Sequence, residues 1–343
     1  NDSCWIWAKR PLKSLEKRSI SYACLGWLYY DRDSLSKAEK YARYHLQRSF
    51  ALYNTWNDLG HVFYKKGLLD SAIICYNTAL KYDSLDIDPY IWLSHAYIET
   101  QQFTKAKKIC NHALLLDSAN IDILLNLGEI FLFIEDLNTA FNYFIHTVKL
   151  YPDCSEAYRY LLEISIQRRD VEILKKELLK DFKKQQEYAL RFLVLSNIYG
   201  AEANYDSALL MIKTALNLEP EDGLFHCTAG RIYMNLYDYS NALKSFKQAQ
   251  HFDPLDSIST LGICEVFYRT GKYSEAKTNL TALCKEYPDL AYAHYLLGII
   301  YSRENNYSAV LREFNKYLQL APDAKNRDYV EKMMNEVEDL LEK

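Results

Sequence analysis

The chain is poor in the residues that punctuate loops, with only 10 Gly and 7 Pro in 343 residues. That excludes a linker-rich or disordered polymer. No apolar run approaches the ~18 residues that a membrane-spanning helix needs. The eight cysteines form no CxxC pair, and their spacings fit no zinc pattern. There is no Gly-rich phosphate loop, no HExxH and no GxSxG turn, so neither a cofactor nor a catalytic class is indicated. A net charge of −4 gives no general attraction to nucleic acid or anionic lipid. Free, buried thiols are expected, which suits a reducing, cytoplasmic compartment. The first residue is Asn1 rather than Met, which is expected of a trimmed or processed start.

What is present is ordinary for a folded protein, at 49% hydrophobic and 25% charged residues, except for an excess of tyrosine, 30 in all. The organisation lies in a period. Ala38, Ala72, Ala106, Ala140, Ala208, Ala242 and Ala276 fall 34 residues apart or at multiples of 34, with Leu174 and Val310 filling the remaining sites. Pro152, Pro220, Pro254, Pro288 and Pro322 share the period, as do Gly26, Gly60, Gly128, Gly230 and Gly298. Aromatics follow a fourth lattice: Tyr29, Phe63, Tyr97, Phe131, Tyr199, Tyr233, Phe267 and Tyr301. Counting from Ser19 gives nine units of 34 residues, ending at residue 324.

The unit "YNTWNDLGHVFYKKGLLDSAIICYNTALKYDSLD" resembles the tetratricopeptide repeat pattern. Trp56, Leu59, Gly60, Phe63, Ala72, Tyr76 and Ala79 hold its signature positions. The resemblance implies an all-α, right-handed superhelical solenoid of helix-turn-helix units. The residues support paired helices independently. Leu59 and Phe63 are four apart on one helical stripe. Gly60 and Ala72 permit close approach of two helices, with aromatics filling beside the gap. An apolar residue, often Tyr, precedes each second helix, and Pro254 and its equivalents end it. No unit buries its faces alone, so neighbours must stack.

The ends and the fifth unit depart from the pattern. Residues 325–343 carry an apolar stripe of Tyr329, Val330, Met333, Met334, Val337, Leu340 and Leu341, the pattern of a capping helix. Residues 1–18 hold Trp5, Ile6 and Trp7 ahead of a basic stretch and are expected to pack on the first unit. In the fifth unit, 155–188, Ser165 replaces the aromatic, Leu162 the small residue, Leu174 the first Ala and Asp181 the second. This bulk is expected to push helices apart, either as a hinge or as tolerated drift.

In the family the first helices line a concave groove, and the resemblance implies that positions 2, 5, 9, 12 and 13 of each unit face it. The candidate partner-binding residues are Asn54, Asn57, His61, Tyr64, Asp88, His95, Glu99, Asp122, Glu129, Arg231, Glu265, Tyr268, Arg269, Tyr292, Tyr295 and Arg303. Seven groove acids face two bases in units one to five, against one acid and three bases beyond. His61 and His95 should project into one groove; without an evident third ligand they are polar lining rather than a metal pair. Position 6 carries no asparagine ladder, and no three consecutive units match a chaperone-tail clamp. The expectation is a non-catalytic scaffold or adaptor that binds a peptide or helical segment of a protein partner. The alternative is the recruiting arm of a larger enzyme or regulator. An acidic groove argues against RNA.

Overall fold

The structure is a computed structural model describing residues 15–47, 52–180 and 188–341. Nineteen helices and no strand are found among the described residues. The segment with Trp5, Ile6 and Trp7, and Asp181 of the fifth unit, lie outside them. The chain divides into two compact units, one up to Asp170 and one from Val171.

The first unit contains α1 (Leu15–Asp31), α2 (Leu35–Leu46), α3 (Leu52–Lys65), α4 (Leu69–Tyr82), α5 (Asp88–Glu99), α6 (Phe103–Leu116), α7 (Ile121–Phe133), α8 (Leu137–Leu150) and α9 (Ser155–Arg168). The second contains α10 (Val171–Leu179), α11 (Ala189–Ala201), α12 (Tyr205–Leu218), α13 (Gly223–Asn235), α14 (Tyr239–Phe252), α15 (Ser257–Arg269), α16 (Tyr273–Glu286), α17 (Ala291–Arg303), α18 (Tyr307–Leu320) and α19 (Arg327–Leu341). The division falls inside the fifth 34-residue unit, between its two helices.

The turn inside each pair has one geometry. Asp33, Gly67, Gln101, Glu135, Arg169, Ala203, Tyr237, Gly271 and Asn305 all have positive φ, from 56° to 79°. The next residue's N–H donates back to the carbonyl five residues earlier, as in Ser34 to Tyr29 and Lys272 to Phe267, both at 2.8 Å. This closes the first helix by a Schellman turn. The second helix then starts on the apolar lattice residue. Asp136, Asn204, Asp238 and Asn306 cap it by accepting a hydrogen bond from a first-turn N–H.

Where the proline lattice lies among the described residues, the second helix leaves the helical conformation just before it. Tyr151, Asp253 and Tyr287 have φ near −125° and precede Pro152, Pro254 and Pro288. Proline is not the sole cause. Asp83 and Asp117 are extended before serines, and their carboxylates accept from Leu85 and Ala119 N–H in local turns.

The alanine lattice is the packing seam. Ala38, Ala72, Ala106, Ala140, Ala208, Ala242 and Ala276, with Leu174 and Val310, are all 0% exposed. The ring that fills the glycine gap comes from the second helix, not from the aromatic lattice of the first. A Cβ on Gly60 would sit 2.5 Å from Tyr76, and one on Gly128 2.5 Å from Phe144. Where Ser94 or Ser196 replaces glycine, the residue at the ring's lattice site shrinks to Cys110 or Ile212. Volume is conserved within these pairs, whereas Gly26 faces Ala42 and no ring fills its gap.

The fifth unit keeps 34 residues but has a shorter second helix. Its second helix, α10, has nine residues where the other second helices of the second unit have 14. Ser165, at the aromatic lattice site, is 0% exposed with an unpartnered Oγ. At the C-terminal end Val330 and Val337 of α19 are buried and Met333 and Met334 pack beside them. The stripe is narrower than its sequence pattern: Tyr329, Leu340 and Leu341 are at least half exposed.

Candidate partner-binding site

In each unit, first helices pack on the first helices of neighbouring pairs: α1 on α3, α3 on α5 and α5 on α7, then α11 on α13, α13 on α15 and α15 on α17. Second helices make no comparable contact with one another among the described residues. That asymmetry sets the first helices on the inner side of each unit, where their polar positions converge.

In the first unit Asp88 is the junction. It accepts from Asn57 Nδ2 at 2.5 Å and from His61 Nε2 at 3.3 Å. His61 Nδ1 takes the Tyr76 hydroxyl at 3.2 Å, so a neutral imidazole protonated on Nε2 satisfies both bonds. Burial pushes the Asp88 carboxyl up, but the His61 and Asn57 hydrogen bonds outweigh it and hold it below the usual range. His61 and Asn57 were expected to line an open face; they are buried, at 5% and 7% exposure, because their polar ends are tied to the next helix. His61 and His95 do not meet. The Trp92 ring stands between them, 4.9 Å from the first and 5.7 Å from the second. Burial lowers the His95 pKa against the opposing pull of Glu129, Asp122, Glu99 and Glu156. Further along the face, Tyr64 donates to Glu99 and Tyr160 to Glu129, while Asp122 is exposed.

Beside Asp88 lies a cavity of about 780 Å³ between α1, α3 and α5. Asn54, Asn57, His61, Asp58, Asp86 and Asp88 supply its polar wall, Trp27, Trp92 and Tyr30 its aromatic wall. Burial raises Asp58 to about 6, against the lowering influence of His61 and of a hydrogen bond with Trp27.

The second unit has a smaller cavity of about 500 Å³, lined by Arg231, Glu265, Arg269, Tyr292 and apolar neighbours. Glu265 Oε1 accepts from the Tyr292 hydroxyl at 3.0 Å and from Arg269 at 3.2 Å, so Arg269 is already paired. Arg303 stacks over the Tyr273 ring at 4.8 Å, and Tyr268 lies 5.8 Å from that ring. Arg231 is exposed. Tyr295 stacks on Tyr292 and also packs against Tyr317 and Phe314, which makes it partly a core residue. No group of three potential metal ligands occurs among the described residues.

The tetratricopeptide-repeat profiles match residues 53–84, 87–120, 225–254 and 265–325. The chain carries tetratricopeptide repeats. Among curated proteins, it is 23% identical over 254 residues to "BBSome complex member BBS4" of Bos taurus, covering 73% of this chain and 48% of that protein. It is 24% identical over 284 residues to "Superkiller complex protein 3" of Homo sapiens, covering 79% and 17%. The repeats thus span less than half the length of these relatives. Among solved structures, a chain of the APC/C hetero-tetramer Cut9–Hcn1 aligns over 98% of this chain and 81% of its own, with a TM-score of 0.54 at 11% identity. The human IFIT1 dimer with PPP-AAAA aligns over 97% and 84%, with a TM-score of 0.53 at 14% identity. At these identities the two structures speak for the fold alone.

Within the repeats, sequence reasoning passed over Asp58, Trp27 and Trp92. Asp58 and Trp92 both occupy position 6, which was tested only for asparagine. The usable signal was an acid and then an indole at one lattice site in successive units. Tyr160, also at position 6, is what engages Glu129.

Proposed function

We propose that the chain is a non-catalytic protein-interaction scaffold that holds a peptide or helical segment of a partner along its first helices. The carrying observation is the line of polar and aromatic groups on α3, α5 and α7, which exceeds what stacking requires. Tyr64 with Glu99, exposed Asp122 and the cavity at Asp88 present acceptors and rings on one side. Mixed polar pairs with aromatic anchors suit an extended or helical peptide. The relatives' names support membership of an assembly, since both describe complex members. No described helix is long and apolar enough to cross a membrane. The acids of the candidate face in the first unit, Asp88, Glu99, Asp122 and Glu129, favour a partner with basic residues over nucleic acid.

The test is capture of partners by the full chain, followed by binding kinetics of the captured protein. Asp122→Lys should slow association, most strongly at low salt, and Tyr292→Ala should speed dissociation. Equal binding to both variants and wild type would move the interface to the second helices or the termini.

A further inference from the structure

We propose that the cavity between α1, α3 and α5 receives the guanidinium group of an arginine from the protein partner. The inference rests on the scaffold reading and names the chemistry of one contact.

The first argument is an inventory of donors and acceptors. Asp58, Asp86 and Asp88 line the cavity, and no Lys or Arg does so among the described residues. Two histidines, His45 and His61, line it as well. His61 uses both ring nitrogens, on Asp88 and Tyr76. Burial lowers the His45 pKa, and its Nδ1 is bonded to Thr55. Asn57 is 7% exposed, and because its Nδ2 is committed to Asp88, its Oδ1 is left buried without a partner. A buried acceptor without a donor is unfavourable. The cavity is therefore short of N–H donors and of positive charge, and both lie on one side chain type.

The second argument is shape. Trp27 and Trp92 line the same cavity as Asp58 and Asp88, so indole rings and carboxylates border one space. Trp27 is 43% exposed, and His61 lies between the two indoles at 5.7 Å and 4.9 Å. A planar guanidinium stacks on an indole face while its fork reaches carboxylates in the ring plane, whereas an ammonium is a compact, more strongly hydrated charge. A volume of about 780 Å³ holds an arginine side chain with the flanking backbone.

The test uses the full chain labelled with 5-fluorotryptophan and followed by fluorine NMR. The probe is acetyl-Gly-Arg-Gly-amide, with citrulline and lysine counterparts and spermidine as comparisons. The Trp27 and Trp92 signals, assigned with Trp27→Phe and Trp92→Phe, should shift saturably with the arginine peptide, and Trp56 should not. Citrulline keeps the shape and loses the charge, so its affinity should fall about tenfold or more. Asp58→Asn should cost a similar factor, and Glu265→Gln in the other unit none. No saturable shift, an equal response to citrulline or lysine, or unchanged affinity in Asp58→Asn overturns the proposal. Binding of spermidine without the peptide overturns it in favour of a free polyamine. A captured partner that is weakened by Asp122→Lys but not by Asp58→Asn leaves the scaffold standing and removes the arginine pocket.

Discussion

Gly298 and Gly200 both lie in first helices, yet alanine should act in opposite directions at the two sites. A Cβ on Gly298 would stand 2.3 Å from Phe314 Cε1 and 2.4 Å from Cδ1. Normal carbon contacts lie at about 3.5–4.0 Å, so the ring must retreat by more than ~1 Å. It has nowhere to go. Phe314 is 0% exposed and sits in a cluster with Val310, Tyr317, Val330 and Val337. Overpacking of this kind costs about 1–3 kcal/mol, and alanine returns about 1 kcal/mol of helix propensity. The net expectation is a loss of up to about 2 kcal/mol. At Gly200 a Cβ meets nothing within 4 Å. Only the propensity term remains, reduced near the helix end, for a gain of about 0.5 kcal/mol. Repeat arrays do not unfold as one unit, so amide exchange in α17 and α18, and in α11 and α12, is the appropriate assay, beside the urea midpoint. Gly298→Ala should speed exchange in the former pair and Gly200→Ala should slow it in the latter. Adding Phe314→Leu to Gly298→Ala should cost less than the sum of the single changes, since the smaller side chain vacates the contested space. A Gly298→Ala variant as stable as Gly200→Ala would refute the assignment of the ring to the glycine gap.

Three further outcomes are expected. Gly67 has φ of 72° and open space around it, so Gly67→Ala should lower the midpoint by about 1 kcal/mol through backbone strain, whereas Ala203→Gly, at φ 58°, should be neutral or stabilising; equal destabilisation by both would contradict the shared turn geometry. Asp58, raised from 3.8 to about 6, is faced by Asp88, His61 and Trp27 and shares the cavity with Asp86, Tyr30 and His45. An acid with a raised folded pKa withdraws stability as pH climbs from the unfolded to the folded value, so Asp58→Asn should match wild type near pH 4 and exceed it above pH 6, by about 1–3 kcal/mol. Asp88 is shifted the other way, and the difference between the two stability curves isolates Asp58; a constant difference across that window would remove the burial argument. Amide exchange should be faster across 155–180 than in α5–α6 or α13–α14, given the short α10 and the unpartnered Ser165; uniform protection would leave only sequence drift.

The lattice made the helices legible because identity and geometry coincide there. A small residue suits the close approach of two backbones, and seven of the nine fully buried lattice sites are alanine. The turn lattice was hidden for the opposite reason. Nine residues share positive φ, but only Gly67 and Gly271 are glycine, while the others include Asp33, Gln101, Arg169, Ala203 and Tyr237. Their conformation is imposed by the backbone hydrogen bond to the first helix, which any residue can make. The candidate face was half legible. Position in the unit found Asp88, Glu99 and Glu265, but it could not say which charges are already paired. Arg269 is paired with Glu265, so of the bases read for the later repeats Arg231 and Arg303 remain exposed, the latter stacked on a neutral tyrosine ring.

Position 6 separates residues that build the array from residues that use it. At two sites of the glycine lattice a change of volume is answered within the same helix pair, Ser94 by Cys110 and Ser196 by Ile212. At position 6 the residues Cys24, Asp58, Trp92, Asn126 and Tyr160 follow no compensating rule. Three of them meet the neighbouring pair instead: Asn126 donates to Ser94 at 2.7 Å, Tyr160 to Glu129, and Trp92 packs against His61 and Tyr64. Each couples two repeats, so a ligand touching one such residue alters the contact between two helix pairs. Asp58 is the case where that coupling opposes folding, because burial disfavours its charge. A bound cation would reverse the sign of that contribution by favouring the ionised form, and stacking of α1, α3 and α5 would tighten with it. Ligand-dependent protection from amide exchange should therefore spread across these three helices rather than remain at the cavity wall. Protection confined to the residues touching the ligand would show that position 6 joins neighbours without transmitting binding between them.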